Sequence, residues 1–158
     1  MKDVARIGNH PIHPMLVSFP IGLWIFSLVT DILYWWSGNG TWAVVAYYSL
    51  AGGIVGALLA AVPGFVDFWA LKPSRVKEIA LWHMLINVSA VILFSINLYL
   101  RTGAPDAGVP LILSIIGVLS ILVSGWLGGQ MVYVHGYGVD EKELCGHGED
   151  IGAHRART

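Results

Sequence analysis

Four long apolar stretches dominate the chain and restrict what it can fold into. They cover residues 15–36, 42–70, 79–100 and 109–134. Each can cross the hydrocarbon core of a bilayer as a helix, which takes about 20 mainly apolar residues. Hydrophobic residues make up 56% of the 158-residue chain and charged residues only 12%, which lies outside the range of ordinary soluble domains. The sequence therefore predicts an all-α integral membrane protein with four transmembrane helices.

The segments between these stretches are short and rich in residues that end helices. They contain Ser-Gly-Asn-Gly at 37–40, Lys-Pro-Ser at 72–74 and Thr-Gly-Ala-Pro-Asp at 102–106. Short links place consecutive helices side by side in opposite directions, so an up-down-up-down bundle is expected. Residues 1–14 then form a lead-in to a four-helix domain at 15–135, and residues 136–158 form a polar, flexible cytoplasmic tail.

The basic residues are unevenly distributed over this topology. Arg101 lies alone at one end of the bundle, whereas the other eight lysines and arginines lie at the opposite end with both termini. Because basic residues concentrate on the cytoplasmic side of membrane proteins, both termini are expected in the cytoplasm. Asp31, near the outer end of the first stretch, is expected to be interfacial. The net charge of −1, with scattered basic residues, argues against a nucleic-acid partner.

Small residues recur in the second and fourth stretches. They stand at every fourth position: Gly52, Gly56, Ala60 and Gly64, then Ser120, Ser124 and Gly128. Such ladders let helices approach closely, and they favour a homodimer through the same faces. Glycines beside a histidine would also offer flat walls to a planar macrocycle. The segment 56–67 resembles the segment 117–128 in spacing, which indicates that the first two helices are repeated by the last two.

Four histidines lie where this topology brings the chain to the cytoplasmic face. His10 and His13 precede the first stretch, His83 lies near the start of the third, and His135 follows the fourth. Ionisable side chains at membrane depth are costly and usually face a partner, a cavity or a bound group. A proline follows each of the first two histidines and favours extended backbone before it, so both are expected on a non-helical lead-in folded over the bundle. The four histidines are candidate ligands of one metal or haem.

The third stretch carries its polar residues on one face. They recur at spacings of four and three and so share one stripe of a helix, which is expected to face the bundle interior: His83, Asn87, Ala90, Phe94, Asn97 and Arg101. Asn87 lies one turn from His83 and is a candidate site residue. The two asparagines have an alternative role in hydrogen bonding neighbouring helices. Asp67, near the cytoplasmic end of the second stretch, is a candidate for orienting a ligating histidine.

Haem b is the cofactor that this set of residues fits best. Histidine is an axial ligand of haem iron, and two histidines from different helices would complete the coordination. His83 is the favoured first ligand, while His13 and His135 compete for the second position. The residues expected to line the ring or meet its propionates are Trp82, Trp126, Phe65, Phe68, Trp69, Arg6, Arg75 and Lys77. Such a protein would pass electrons between a quinone or partner protein and another redox protein.

Two other functions remain open for the same residues. The histidines suit a copper or zinc ion, which would imply sensing, handling or transport of the metal. They also suit a structural or assembly protein, in which they cap helices and bind interfacial water. The chain has no glycine-rich phosphate loop, nucleophile elbow or zinc-protease motif, so no enzymatic reaction is predicted.

Three strings of the sequence resemble a known family. They are His-Pro-Ile-His-Pro-Met-Leu at 10–16, Leu-Trp-His-Met-Leu-Ile-Asn at 81–87 and Gly-Trp-Leu-Gly-Gly-Gln-Met-Val-Tyr-Val-His at 125–135. They are similar to the bacterial membrane family called domain of unknown function 2231. The resemblance implies a small four-helix protein of the inner membrane with histidines at the four positions named above. Members linked to a Rieske iron–sulfur domain imply a redox role, and Gln130 departs from the family pattern of a charged residue.

Overall fold

Four long helices carry nearly all of the described structure. The computed structural model describes residues 5–7, 10–102 and 108–138. In these ranges the helices are α1 (Ile12–Ser37), α2 (Gly40–Ala70), α3 (Arg75–Leu100) and α4 (Gly108–Gly129), and a π-helical turn (Gln130–Val134) extends α4. A short antiparallel ribbon, β1 (Arg6–Ile7) and β2 (His10–Pro11), precedes α1. All four helical spans are long and apolar enough to cross a membrane, so the predicted all-α, four-span fold is confirmed.

The first helix begins three residues earlier than predicted. Pro11 precedes it in an extended conformation, and His13 and Pro14 lie in its first turn. A proline is tolerated there because the first backbone N–H groups of a helix have no intrahelical acceptor. The prediction that His13 belongs to a non-helical lead-in is therefore wrong. His10 does lie outside the helix, in β2.

Capping residues end and start the helices at the predicted links. Gly38 closes α1 in the left-handed region, at φ 66°, where a glycine carries no steric penalty. Asn39 and Ser74 then accept backbone N–H groups from the first turns of α2 and α3 through their side chains. These bonds replace acceptors that the helix itself does not offer to its first N–H groups.

Contacts between helices fix their relative directions. Ser27, in the second half of α1, donates to the carbonyl of Ala46 near the start of α2. Asn97, near the end of α3, donates to a carbonyl near the start of α4. The pairs α1–α2 and α3–α4 are therefore antiparallel hairpins. Helices α1 and α3 run parallel, since Asp31 near the end of α1 contacts Arg101 at the end of α3.

The two hairpins form a tandem repeat around a pseudo-twofold axis. Residues of α1 meet the residues 70 positions later in α3 at three levels: His13 with His83, Trp24 with Phe94, and Asp31 with Arg101. Helices α2 and α4 are related by 64 positions, since Gly53 lies against Trp24 as Gly117 lies against Phe94. The repeat expected from segments 56–67 and 117–128 is therefore present, in a register three residues away from the expected one.

An apolar core occupies the middle of this axis. The rings of Trp24 and Phe94 stack with their centroids 4.3 Å apart, and they are buried with Leu50, Ala90, Val118 and Ile121. His13 and Asp31 lie on either side of this core, about 27 Å apart along α1 at the helical rise of 1.5 Å per residue. The core thus separates a polar end with two histidines from a polar end with an ion pair.

Gly117→Ala is expected to lower the free energy of unfolding by about 1–3 kcal/mol, as overpacking does in other cores. A Cβ at this position would overlap the buried ring of Phe94. Gly125→Ala on the same helix is the control, because a Cβ there meets nothing within 4 Å and alanine favours helices more than glycine does. Unfolding of both variants in mixed detergent micelles, followed by circular dichroism, measures the difference. Equal stability of the two variants would contradict the packing described here.

Candidate functional site

Two of the four predicted histidines meet at one end of the bundle. His13, in the first turn of α1, and His83, in the third turn of α3, lie on the pseudo-twofold axis with ring centroids 6.2 Å apart. The ring planes are inclined at 87°, so the edge of one ring faces the other. Both side chains are partly buried. The bundle therefore brings two imidazoles from non-consecutive helices into one place.

Each imidazole is held by the second helix of its own hairpin. His13 Nδ1 lies 2.8 Å from the carbonyl oxygen of Ala60 on α2, and His83 Nδ1 lies 2.9 Å from the carbonyl oxygen of Ser124 on α4. A carbonyl oxygen only accepts, so each Nδ1 carries the proton and donates it. The lone pair then lies on Nε2 of each ring. This tautomer is the one in which histidine binds a metal through Nε2, with the other nitrogen hydrogen bonded to the protein.

Glycines seat both rings against their helices. A Cβ at Gly64 of α2 would lie 2.7 Å from Nδ1 of His13, which is too close for any side chain. A Cβ at Gly128 of α4 would lie 3.4 Å from Cε1 of His83. These glycines belong to the small-residue ladders of the sequence, and the structure shows why these two positions need a residue without a side chain. They allow each imidazole to reach a backbone carbonyl of the neighbouring helix.

The two halves differ in the polar groups beside the imidazole. The amide Nδ2 of Asn87 lies 3.2 Å from Nε2 of His83, 2.8 Å from the His83 carbonyl oxygen and 2.6 Å from Oγ of Ser124. The positions equivalent to Asn87 and Ser124 in the first half hold Val17 and Ala60. The predicted polar stripe of α3 thus reaches the site through Asn87, which has no polar counterpart on α1.

The remaining predicted histidines lie on the surface. His10 is exposed in β2, and His135 is exposed directly after the π-helical turn. In the parts of the chain that the structure describes, no three His, Cys, Asp or Glu side chains are grouped as a metal ion would require. Cys145 and the tail beyond Gly138 lie outside the described residues.

Three further candidates lie away from the histidine pair. The side chains of Trp82 and Trp126 are 63% and 73% exposed and face outward from α3 and α4. Arg75 is exposed and forms an ion pair with Glu78, 2.8 Å away in the next turn. The structure therefore places none of the three between the two imidazoles.

Asp67 organises the segment that leads into His13. Its buried Oδ1 accepts the backbone N–H of Ala5 at 2.6 Å, and the carbonyl of Ala5 accepts the N–H of Ile12 at 2.9 Å. The hydroxyl of Tyr137 donates to the Asp67 carbonyl at 3.4 Å, which brings the end of the described chain to the same place. The side chain of Asp67 thus positions the start of α1 through the backbone of Ala5.

A buried ion pair at the opposite end was not predicted from the sequence. Both terminal guanidinium nitrogens of Arg101, Nη1 and Nη2, donate to the carboxylate of Asp31, at 2.7 and 2.6 Å, and Asp31 is only 5% exposed. Ser114 donates to the same carboxylate, and Asn97 accepts from Nε of Arg101. Asp31 is therefore buried inside the bundle, and its depth at the membrane interface stays a prediction. The signal was present in the repeat, which places Asp31 and Arg101 at equivalent positions.

Comparison with known proteins gives one family match. The family model for predicted membrane proteins named DUF2231 matches residues 9–141, which is more than four fifths of the chain. No curated protein and no solved structure matches the sequence. The matched segment includes both histidines of the pair, all four helices and the buried ion pair.

Proposed function

The chain belongs to this family of predicted membrane proteins, and we propose that it is a haem-binding electron-transfer protein in which His13 and His83 would hold haem b. The observation that carries the proposal is the pair itself. Two imidazoles from different helices meet on the bundle axis, and each donates its Nδ1 proton to a backbone carbonyl. The lone pair of each ring therefore lies on Nε2, and that of His83 accepts an N–H of Asn87.

The number and spacing of the imidazoles suit haem better than zinc. Zinc sites usually take three or four protein ligands, whereas haem iron would be held by one or two histidines. The ring centroids of His13 and His83 lie 6.2 Å apart, so the two imidazoles would be within reach of one metal.

Small residues surround the pair on the other two helices. At the level of the histidines, α2 presents Ala60 and Gly64 to the interior, and α4 presents Ser124 and Gly128. These small residues make room for the imidazoles themselves, which pack directly against Gly64 and Gly128. The outward orientation of Trp82 and Trp126 assigns these aromatic rings to the lipid rather than to the cofactor.

The protein supplies ligation, burial and closure of the site. His13 and His83 would bind the haem. The apolar core around Trp24 and Phe94 excludes water from the side of the site that faces the middle of the bundle. The β1–β2 ribbon, whose preceding residue Ala5 is hydrogen bonded to Asp67, lies at the start of α1 on the opposite side of the site. When bound, haem supplies one-electron redox chemistry whose potential depends on axial ligands and burial. A quinone or a separate redox protein would be the electron donor or acceptor.

The proposed location is the bacterial inner membrane with both termini in the cytoplasm. Arg101, the only basic residue at the ion-pair end, is neutralised by Asp31 inside the protein. The other basic residues of the described ranges, Arg6, Lys72, Arg75 and Lys77, lie at the histidine end. The positive-inside rule then assigns the histidine end to the cytoplasmic side.

Protein purified from haem-replete bacteria is expected to be red and to contain one haem b per chain. Its absorption spectrum should show a Soret band that shifts on reduction with dithionite, together with the sharp visible bands of six-coordinate low-spin haem. Elemental analysis of the same sample should find iron. A colourless preparation without iron would overturn the haem proposal. Stoichiometric copper or zinc in that preparation would assign the histidine pair to a metal ion instead.

A further inference from the structure

The two hairpins differ in what precedes the histidine. Helix α3 begins at Arg75, eight residues before His83, whereas α1 begins only one residue before His13. By the offset of 70 positions between the halves, the first two turns of α3 correspond to residues 5–11, which form the β1–β2 ribbon instead of a helix. Each turn of a helix is hydrogen bonded to the next, but a ribbon of two short strands is marginally stable without further contacts. The segment beside His13 is therefore the one that depends on contacts with other parts of the protein.

Hydrogen bonds attach the ribbon on two sides. The carboxylate of Asp67 on α2 accepts the N–H of Ala5 at 2.6 Å, and the carbonyl of Ala5 accepts the N–H of Ile12 at 2.9 Å. On the other side, Nη2 of Arg6 donates to the carbonyl of Gly138, after the end of α4, at 3.0 Å. The ribbon thus bridges the end of α2 and the segment that follows α4.

The attachment to α2 lies next to the ring of His13. Gly64, against which this ring packs, is three residues before Asp67 and therefore about one turn away on α2. Ile12, which is bonded to Ala5, directly precedes His13 in the chain. Both points that hold the start of the ribbon are therefore within about one helical turn of the imidazole. Release of the ribbon would uncover this ring first.

We propose that the β1–β2 ribbon is a gate over His13 and that the hydrogen bond between Asp67 and Ala5 holds it closed. Opening breaks a few hydrogen bonds at the end of the bundle and leaves the four helices intact, as is usual for local opening of weakly packed segments. Water and small polar solutes then reach His13 from the histidine end. His83 stays covered, because α3 continues for two turns beyond it and Asn87 is bonded to its ring. The inference goes beyond the haem proposal, since it concerns access to the imidazole whatever group binds there.

Diethyl pyrocarbonate, which modifies accessible neutral imidazoles, is the probe for the purified full-length protein in mild detergent. Mass spectrometry of peptides gives the modification rate at each histidine. In the wild type, the exposed His10 and His135 are expected to react fast and His13 slowly. Asp67→Val should speed the modification of His13 about tenfold, the factor for loss of one strong hydrogen bond, and leave His83 unchanged. A group bound between the two rings slows both, so the ratio of the two rates in one sample reports the ribbon.

Three further variants separate the gate from a general effect of substitution. Asp67→Asn keeps a side-chain oxygen for the N–H of Ala5 and should leave the rate at His13 near that of the wild type. Ala5→Pro removes the N–H instead of the carboxylate and should speed the modification as Asp67→Val does. Glu78→Val is the matched control, because this carboxylate lies at the same end of the bundle but pairs with Arg75 on α3. It should leave the rate at His13 unchanged.

The outcomes bear on the gate alone. Equal rates at His13 in the wild type, Asp67→Val and Ala5→Pro, with helices shown intact by circular dichroism, would overturn the inference. So would a rate at His83 that rises in step with His13, since the whole end of the bundle would then be opening, or a wild-type His13 that reacts as fast as His10. Should Asp67→Val fail to fold, Ala5→Pro decides the point. A colourless preparation would overturn the haem proposal and leave this inference intact.

Discussion

Arg101→Met is expected to lower the free energy of unfolding by about 3–5 kcal/mol, the usual result of removing one partner from a buried ion pair. The change leaves the carboxylate of Asp31 buried with Ser114 as its remaining donor. A methionine of similar length preserves the volume, so the loss reports the unpaired charge. Unfolding in mixed micelles of a mild detergent and dodecyl sulfate measures it.

The matched control for this prediction is Arg75→Met, which breaks an arginine–carboxylate pair at the surface. Arg75 and Glu78 lie 2.8 Å apart but are mostly exposed, so their pair contributes less than about 1 kcal/mol. The double variant Asp31→Leu/Arg101→Met removes both buried charges and should recover most of the lost stability. Similar losses for Arg101→Met and Arg75→Met would show that burial of the Asp31 pair does not matter.

The ion pair also explains how the two hairpins keep their register. Asp31 comes from the first hairpin, and Arg101, Asn97 and Ser114 come from the second. Apolar helix faces can slide past each other in a membrane at little cost, because lipid and protein are similarly apolar. The bidentate ion pair between Asp31 and Arg101 forms in one alignment of the two hairpins. That alignment places His13 opposite His83 at the far end of the same two helices.

The fold was largely predictable because hydropathy reports length and order of membrane helices directly. The ends of the helices were harder to predict than their number where the terminal turn of a helix contains polar residues. Helix α3 begins at Arg75, four residues before the predicted start, since Ser74 caps a first turn that contains Lys77 and Glu78. A prediction based on apolar stretches leaves a polar turn of this kind out of the helix, although its backbone is helical. The π-helical turn after Gly129 has no signal in the apolar pattern at all.

The placement of the four histidines was predicted in part, because a periodic sequence pattern fixes the direction of a side chain only within a helix. The sequence indicates at which end of a helix a histidine lies, and a periodic stripe indicates which face it occupies. His83 has such a stripe, and its buried members Ala90, Phe94 and Asn97 confirm that the stripe faces inward. His10 and His135 lie beyond the helices, where no periodicity constrains direction, and both are exposed.

The importance of Asp31 was missed for a different reason. A single acidic residue beside an aromatic belt resembles an interfacial residue when each helix is read alone. Its partner Arg101 is 70 positions away, and the relation becomes visible only when the two hairpins are aligned in the correct register. The expected repeat, from segments 56–67 and 117–128, concerns α2 and α4, which are related by 64 positions, whereas α1 and α3 are related by 70, so it did not pair Asp31 with Arg101.

Alanine at both His13 and His83 is expected to abolish the haem spectrum, whereas alanine at both His10 and His135 should leave it unchanged. The first pair faces inward on the bundle axis and the second pair is exposed, although all four lie at the same end of the protein. Each single variant of the inner pair should lose the low-spin spectrum, because one axial ligand remains. Haem content per chain and the spectrum of the reduced protein provide the measurement, with circular dichroism to show that the helices persist. A low-spin spectrum that survives in the inner double variant, or that disappears in the outer one, would mean that the ligands are not the histidines that meet on the axis.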